Sequence, residues 1–172
     1  GMCVVNKRII DNNSHYLTTR HAAVIIEIAY YAKEFFKLKK ITLTDINKQE
    51  LETIDENTEI FFETECRILD NKNRYHFSFV FKNSENLVVF TTHNSSNPLK
   101  FGDNKVIFKI PKNFLNIDNY SISLYIIQNK QTCILYEEDF LSFNILEAGK
   151  ELGGWMGREP GFIKTNFEWY NE

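Results

Sequence analysis

The chain has four histidines, His15, His21, His76 and His93, and these are the first candidates for metal or proton chemistry. None stands in an HExxH pattern or beside a cysteine pair. His15 and His21, six residues apart, match no common local zinc-ligand spacing. Carboxylates are the second candidates. Glu137-Glu138-Asp139, and Glu63 with Glu65, have the residue types of a glycosidase acid and base. Such groups more often form a solvated hairpin rim and a solvated strand face, and that reading is adopted. There is no GxSxG elbow and no GxxxxGK[ST] phosphate loop. The three cysteines, Cys3, Cys66 and Cys133, form no CxxC pair. An odd, widely spaced set favours reduced thiols and a cytoplasmic home, with a Cys66–Cys133 disulfide left open. The expectation is a non-catalytic protein with no metal and no cofactor.

The elements that position these residues read as β. Thr58 to Ile68 alternates, with Ile60, Phe62, Thr64, Cys66 and Ile68 on one face and Glu59, Phe61, Glu63, Glu65 and Arg67 on the other. Tyr75 to Lys82 is the cleanest strand, with Tyr75, Phe77, Phe79 and Phe81 on one face. Asn83-Ser84-Glu85-Asn86 is turn chemistry, making a hairpin with Leu87 to Thr92. Further strands are expected near 41–45, 104–110, 119–128, 132–136, 140–146 and 162–169. Pro160-Gly161 places a turn before the last of these, which ends at Trp169 and reads as a closing staple. Regularly spaced short strands with turn signals predict a two-sheet antiparallel sandwich, immunoglobulin-like in architecture.

Residues 1–39 differ and read as an apolar N-terminal arm, with the sandwich domain over 40–172. From Arg20 to Lys37 the Ala, Lys and Glu content favours helix, while Val24-Ile25-Ile26-Glu27-Ile28 favours strand; the reading leans to strand over 23–31. Either form is too apolar to stand in solvent. The stretch Ala22 to Ala32 is too short to span a bilayer, and no secretory leader is recognisable. Gly1-Met2 resembles a tag-cleavage remnant, compatible with a piece of a longer chain. A formal net charge of −3 leaves no basic footprint for nucleic acid.

Four segments carry a family resemblance. They are Leu87 to Asn94, Lys105 to Leu124 with its Ile110-Pro111 turn and Tyr120-Ser121-Ile122 strand start, Leu141 to Ile145, and Gly157 to Trp169. Together they resemble the C-terminal domain of Wzt-type proteins, the ATP-binding subunits of bacterial ABC transporters that export O-antigen and related polysaccharides. The turn before Tyr120, where the family usually carries Gly, here reads Asn116-Ile117-Asp118-Asn119; Asn and Asp tolerate turn geometry. The resemblance implies non-catalytic binding of the exported lipopolysaccharide glycan, by its terminal sugars, at the inner face of the cytoplasmic membrane. It also implies a homodimer with exchanged terminal strands, and transporter ATPase and membrane subunits as partners. The alternative is a module that only dimerises and assembles the transporter.

Sugars call for exposed aromatic rings and for hydroxyl-bonding polar groups, which strands present at alternate positions. On that logic the outward candidates are Glu65 and Arg67 (with Glu63), His76 and Ser78, and Ser123 and Tyr125 (with Ser121). If their three strands share a sheet, they form a shallow polar groove. Trp155, between Gly153-Gly154 and Met156-Gly157, is either a sugar platform or a dimer contact.

Overall fold

Aromatic and β-branched residues at every second position leave the chain little choice but pleated strands. The computed structural model describes residues 31–33, 35–149, 160–165 and 167–171. These form eight strands and, among the described residues, no helix: β1 (Tyr31–Lys33), β2 (Phe36–Thr44), β3 (Ile60–Ile68), β4 (Tyr75–Lys82), β5 (Val88–His93), β6 (Gly102–Ile110), β7 (Asn119–Gln128) and β8 (Thr132–Asn144). They build two antiparallel sheets. Sheet I has the order β1-β2-β3-β6, and sheet II has β5-β4-β7-β8. β3 pairs with β6 and β4 with β7, so the chain crosses between the sheets in the Greek-key manner of immunoglobulin-like sandwiches.

Phenylalanines join the layers. Phe62 of sheet I meets Phe79 of sheet II edge-on at 5.0 Å between centroids, and Phe36 meets Phe77 at 5.9 Å. Phe108 packs against Phe62, Phe79 and Phe81. Tyr120, at the start of β7, is buried, and its hydroxyl donates to the carbonyl of Asn116 at 2.8 Å. This is the tyrosine corner that locks such sandwiches where the chain changes sheet. The mouth between edge strands β5 and β6 stays open. There Val106 and Phe108 are half-buried beside a cavity of about 340 Å³.

Among the described residues, sheet I starts with β1 at Tyr31, inside the stretch read as an arm, and Phe36 and Leu38 are core residues. Two sequence expectations change. The two strands expected at 132–136 and 140–146 are one strand, β8, that keeps pairing with β7 through two register shifts. The closing strand at 162–169 does not form among the described residues. Ile163 makes a single bridge to Leu115, Lys164 N–H donates to the Phe114 carbonyl, and Trp169 is 91% exposed. The alternation there is real, but among the described residues this segment has no neighbouring strand to complete a ladder. The 23–31 reading lies almost wholly outside the described residues.

Thr64 is buried on β3, paired between Ile41 and Val106, and its hydroxyl has no hydrogen-bond partner among the described residues. A buried hydroxyl without a partner costs on the order of 1–2 kcal/mol. Thr64→Val is therefore expected to raise the urea midpoint at unchanged m-value; a lowered midpoint would contradict this account.

Candidate functional site: the outer face of sheet II

Because the β4 phenylalanines turn inward, His76, Ser78 and Val80 must turn outward. Pairing then aligns one row across the whole sheet: His93 opposite Ser78, Ser78 opposite Tyr125, and Tyr125 opposite Tyr136. Three inter-strand spacings make this row roughly 14 Å long. Tyr125 and Tyr136 stack at 4.5 Å with 30° between ring planes. Burial, then the contact with Tyr136, raises the Tyr125 phenol above its ordinary value, so it stays a neutral donor. Beside the row lies a shallow depression of about 460 Å³, lined by His76, Ser78, His93 and Tyr125 among others. A second, of about 290 Å³, adjoins it and shares His76, Ser95 and Lys130.

Loops hold this face in place. Asn94 Oδ1 accepts from Phe77 N–H at 2.7 Å, taking the place of a strand carbonyl where β5 ends. The loop beyond it brings Ser95 Oγ within 2.9 Å of His93 Nδ1. Asn129 and Lys130 turn β7 into β8 with φ of 52° and 62°, as a type I′ turn requires. Asn129 Oδ1 accepts from Arg74 N–H at 3.0 Å, and Asn129 N–H donates to the Arg74 carbonyl at 2.8 Å. That exchange fixes Lys130 near Arg74. The His76 and His93 rings meet at 6.2 Å, edge to face. Burial, then His93 and Lys130, push the His76 imidazole below its ordinary value.

The expected residues divide. His76, Ser78 and Tyr125 converge on the depression. Glu65 and Arg67 do not, because β3 belongs to sheet I, and they lie on the opposite outer face of the sandwich. There they join an ion-pair ladder: Lys105 bridges Glu63 and Glu65, and Arg67 and Lys39 share Asp103. Burial alone would raise the Glu63 pKa, but hydrogen bonds from Lys105 and Thr44 hold it below the ordinary value. Ser123 is fully buried. Asp139, at φ 46° on β8, folds over it and donates its N–H to Ser123 Oγ at 3.2 Å, while Asp139 Oδ1 accepts from Ser121 at 2.8 Å. Ser123 thus anchors a bulge and does not line the face. Trp155 lies outside the described residues. The sequence reading missed His93, Tyr136, Arg74 and Lys130. Simple counting from the Lys82–Val88 pair beside the Asn83–Asn86 turn would have set Thr92 opposite Ser78; a bulge between Phe81 and Lys82 brings His93 there, and the bulges in β8 hid Tyr136. Among the described residues, no cluster of three or more His, Cys, Asp or Glu could hold a metal ion.

Two antiparallel sheets packed face to face, with loops pinning a polar, aromatic outer face, define an immunoglobulin-like β-sandwich module. The chain belongs to the Wzt C-terminal domain family, whose model matches residues 30–157. A solved structure described as the crystal structure of the C-terminal domain of wzt superposes with a TM-score of 0.62. It is 14% identical, and the match covers 88% of this chain and 93% of that one. At that identity the likeness shows the fold. No curated protein matches the sequence.

His76 carries a pH signature. Its pKa is lower in the fold than the ordinary 6.5, so the unfolded chain takes up the proton first. Stability from this group is full above about pH 6.5 and is lost as pH falls through that value toward the folded pKa. The melting temperature should drop between about pH 7.5 and 5.5, and drop less in His76→Gln. Equal drops in both proteins would remove His76 as the cause.

Proposed function

We propose that this domain binds an exported, O-antigen-like polysaccharide without catalysis, as the C-terminal domain of the ATP-binding subunit of a bacterial ABC transporter. The observation that carries the reading is the row His93, Ser78, Tyr125 and Tyr136, with its stacked tyrosines beside a depression of about 460 Å³. Tyrosine faces suit the C–H faces of sugar rings, while serine and imidazole groups bond hydroxyls. Family membership supports the transporter context. In that context the domain lies at the cytoplasmic face of the inner membrane and acts beside the ATPase and membrane subunits. Shallow sites bind weakly, so a homodimer with exchanged terminal strands would raise the affinity by avidity.

One observation favours the alternative, an assembly module that dimerises the transporter without touching sugar. Phe167, Trp169 and Tyr170 are 71%, 91% and 80% exposed, an apolar tail suited to a partner.

The readings separate in an NMR titration with the source organism's O-polysaccharide. The sugar reading expects saturable shifts at His76, Ser78 and His93, and about tenfold weaker binding by Tyr125→Ala, ~1.4 kcal/mol. No saturable binding by the wild-type protein would leave the assembly reading.

A further inference from the structure

At one end of the sheet II face, the charged side chains that line the depressions are of one sign. The two adjoining depressions are lined by Arg74, Lys130, His76 and His93, and by no carboxylate among the described residues. The chain nevertheless has 23 acidic residues against 20 Lys and Arg. Elsewhere many basic side chains of the strands find acids: Lys39 and Arg67 with Asp103, Lys82 with Glu138 and Asp139, Lys105 with Glu63, and Lys109 with Glu59. Arg74 and Lys130 have no ion pair among the described residues, and both are exposed. The acid nearest in sequence to Arg74, Asp70, is otherwise engaged: its carboxylate accepts from the Tyr75 hydroxyl, Asn73 and the Lys72 N–H. The hydrogen bond from Tyr75, followed by those from Asn73 and Lys72, holds Asp70 down at about 2.

A site for neutral sugar alone gains from carboxylates, which accept from hydroxyls. One with free cations and imidazoles, and no acid, is complementary to an anion, because charge-assisted bonds to carboxylate or phosphate are the stronger ones. Burial is the first cause of the lowered His76 pKa, and His93 and Lys130 add to it with positive potential that no carboxylate in the lining offsets.

We propose that the groove recognises an acidic sugar unit, one bearing a carboxylate or a phosphate. Arg74 and Lys130 hold the anion, His76 donates between them, and the adjoining ring lies against Tyr125 and Tyr136. The proposal rests on the polysaccharide-binding reading and names the chemistry of its ligand.

The test titrates the labelled domain with methyl glucoside, methyl glucuronide and glucose 6-phosphate at millimolar concentration, in low and high salt. The proteins are wild type and the double variant Arg74→Gln, Lys130→Gln, in which the backbone bonds between Arg74 and Asn129 are retained. At least one anionic probe should bind at least tenfold tighter than the neutral glucoside. That binding should weaken with salt, raise the His76 pKa, and fall about tenfold in the double variant. A preference for glucuronide assigns a uronic-acid unit, and a preference for the phosphate assigns a phosphorylated one. Equal binding of neutral and anionic probes, no binding of either anion, or unchanged anion binding by the double variant overturns the proposal. The source polysaccharide distinguishes the two levels. If the double variant binds it at wild-type affinity while Tyr125→Ala does not, only the charge inference falls. If wild type does not bind it, the polysaccharide reading itself fails.

Discussion

The packing of β4 against β3 is the constraint on which the rest depends. Phe77, Phe79 and Phe81 must all leave water together, and a strand allows that only if every alternate residue faces the other way. From sheet I, Phe36 receives Phe77, and Phe62 and Phe108 receive Phe79 and Phe81, with ring centroids 5.0–6.3 Å apart in edge-on and tilted geometries that aromatic quadrupoles favour. A one-residue slip of β4 would put three phenylalanines into solvent and bury His76. The core therefore fixes the register of the outer face, and the polar row across sheet II is held by hydrophobic packing beneath it.

The two outer faces use charge in opposite ways. On sheet I, acids and bases alternate across β3 and β6 and neutralise one another. Exposed pairs of this kind add little stability each, but they leave few groups seeking an outside partner. On sheet II, Lys82 is satisfied by Glu138 and Asp139 near the β8 bulge, while the opposite end of the sheet keeps its cations without an ion pair among the described residues. The difference arises in the connections. The Asn129–Lys130 turn and the Asn94–Pro98 loop bring polar groups to that end without bringing a carboxylate into its lining.

The terminal segment behaves differently from the rest. Gly161, at φ 110°, turns the chain, and Asn116 Nδ2 donates to its carbonyl. The Lys164–Glu56 ion pair and the bridge at Ile163 tether the residues near the turn. Beyond the tether, large aromatic side chains face solvent. An alternating pattern of residues needs a neighbouring ladder before it becomes a strand, and among the described residues neither sheet supplies one here.

Alternation alone made β3, β4 and β7 legible, along with the inward and outward side chains of each, and β6 as a strand, because the two-residue period is a local property of the backbone. The turn residues Asn83–Asn86 likewise announced the β4–β5 hairpin, and the motif order announced the family. Sheet membership was not legible. Whether Glu65 and Arg67 share a surface with His76 depends on which strands pair across the fold, and that pairing is set by burying the whole apolar set at once. The bulges of β8 were equally hidden; they bury Ser123, bring Tyr136 to Tyr125 and merge two expected strands into one. Local sequence thus determined which residues face outward, and only tertiary packing decided which of them meet.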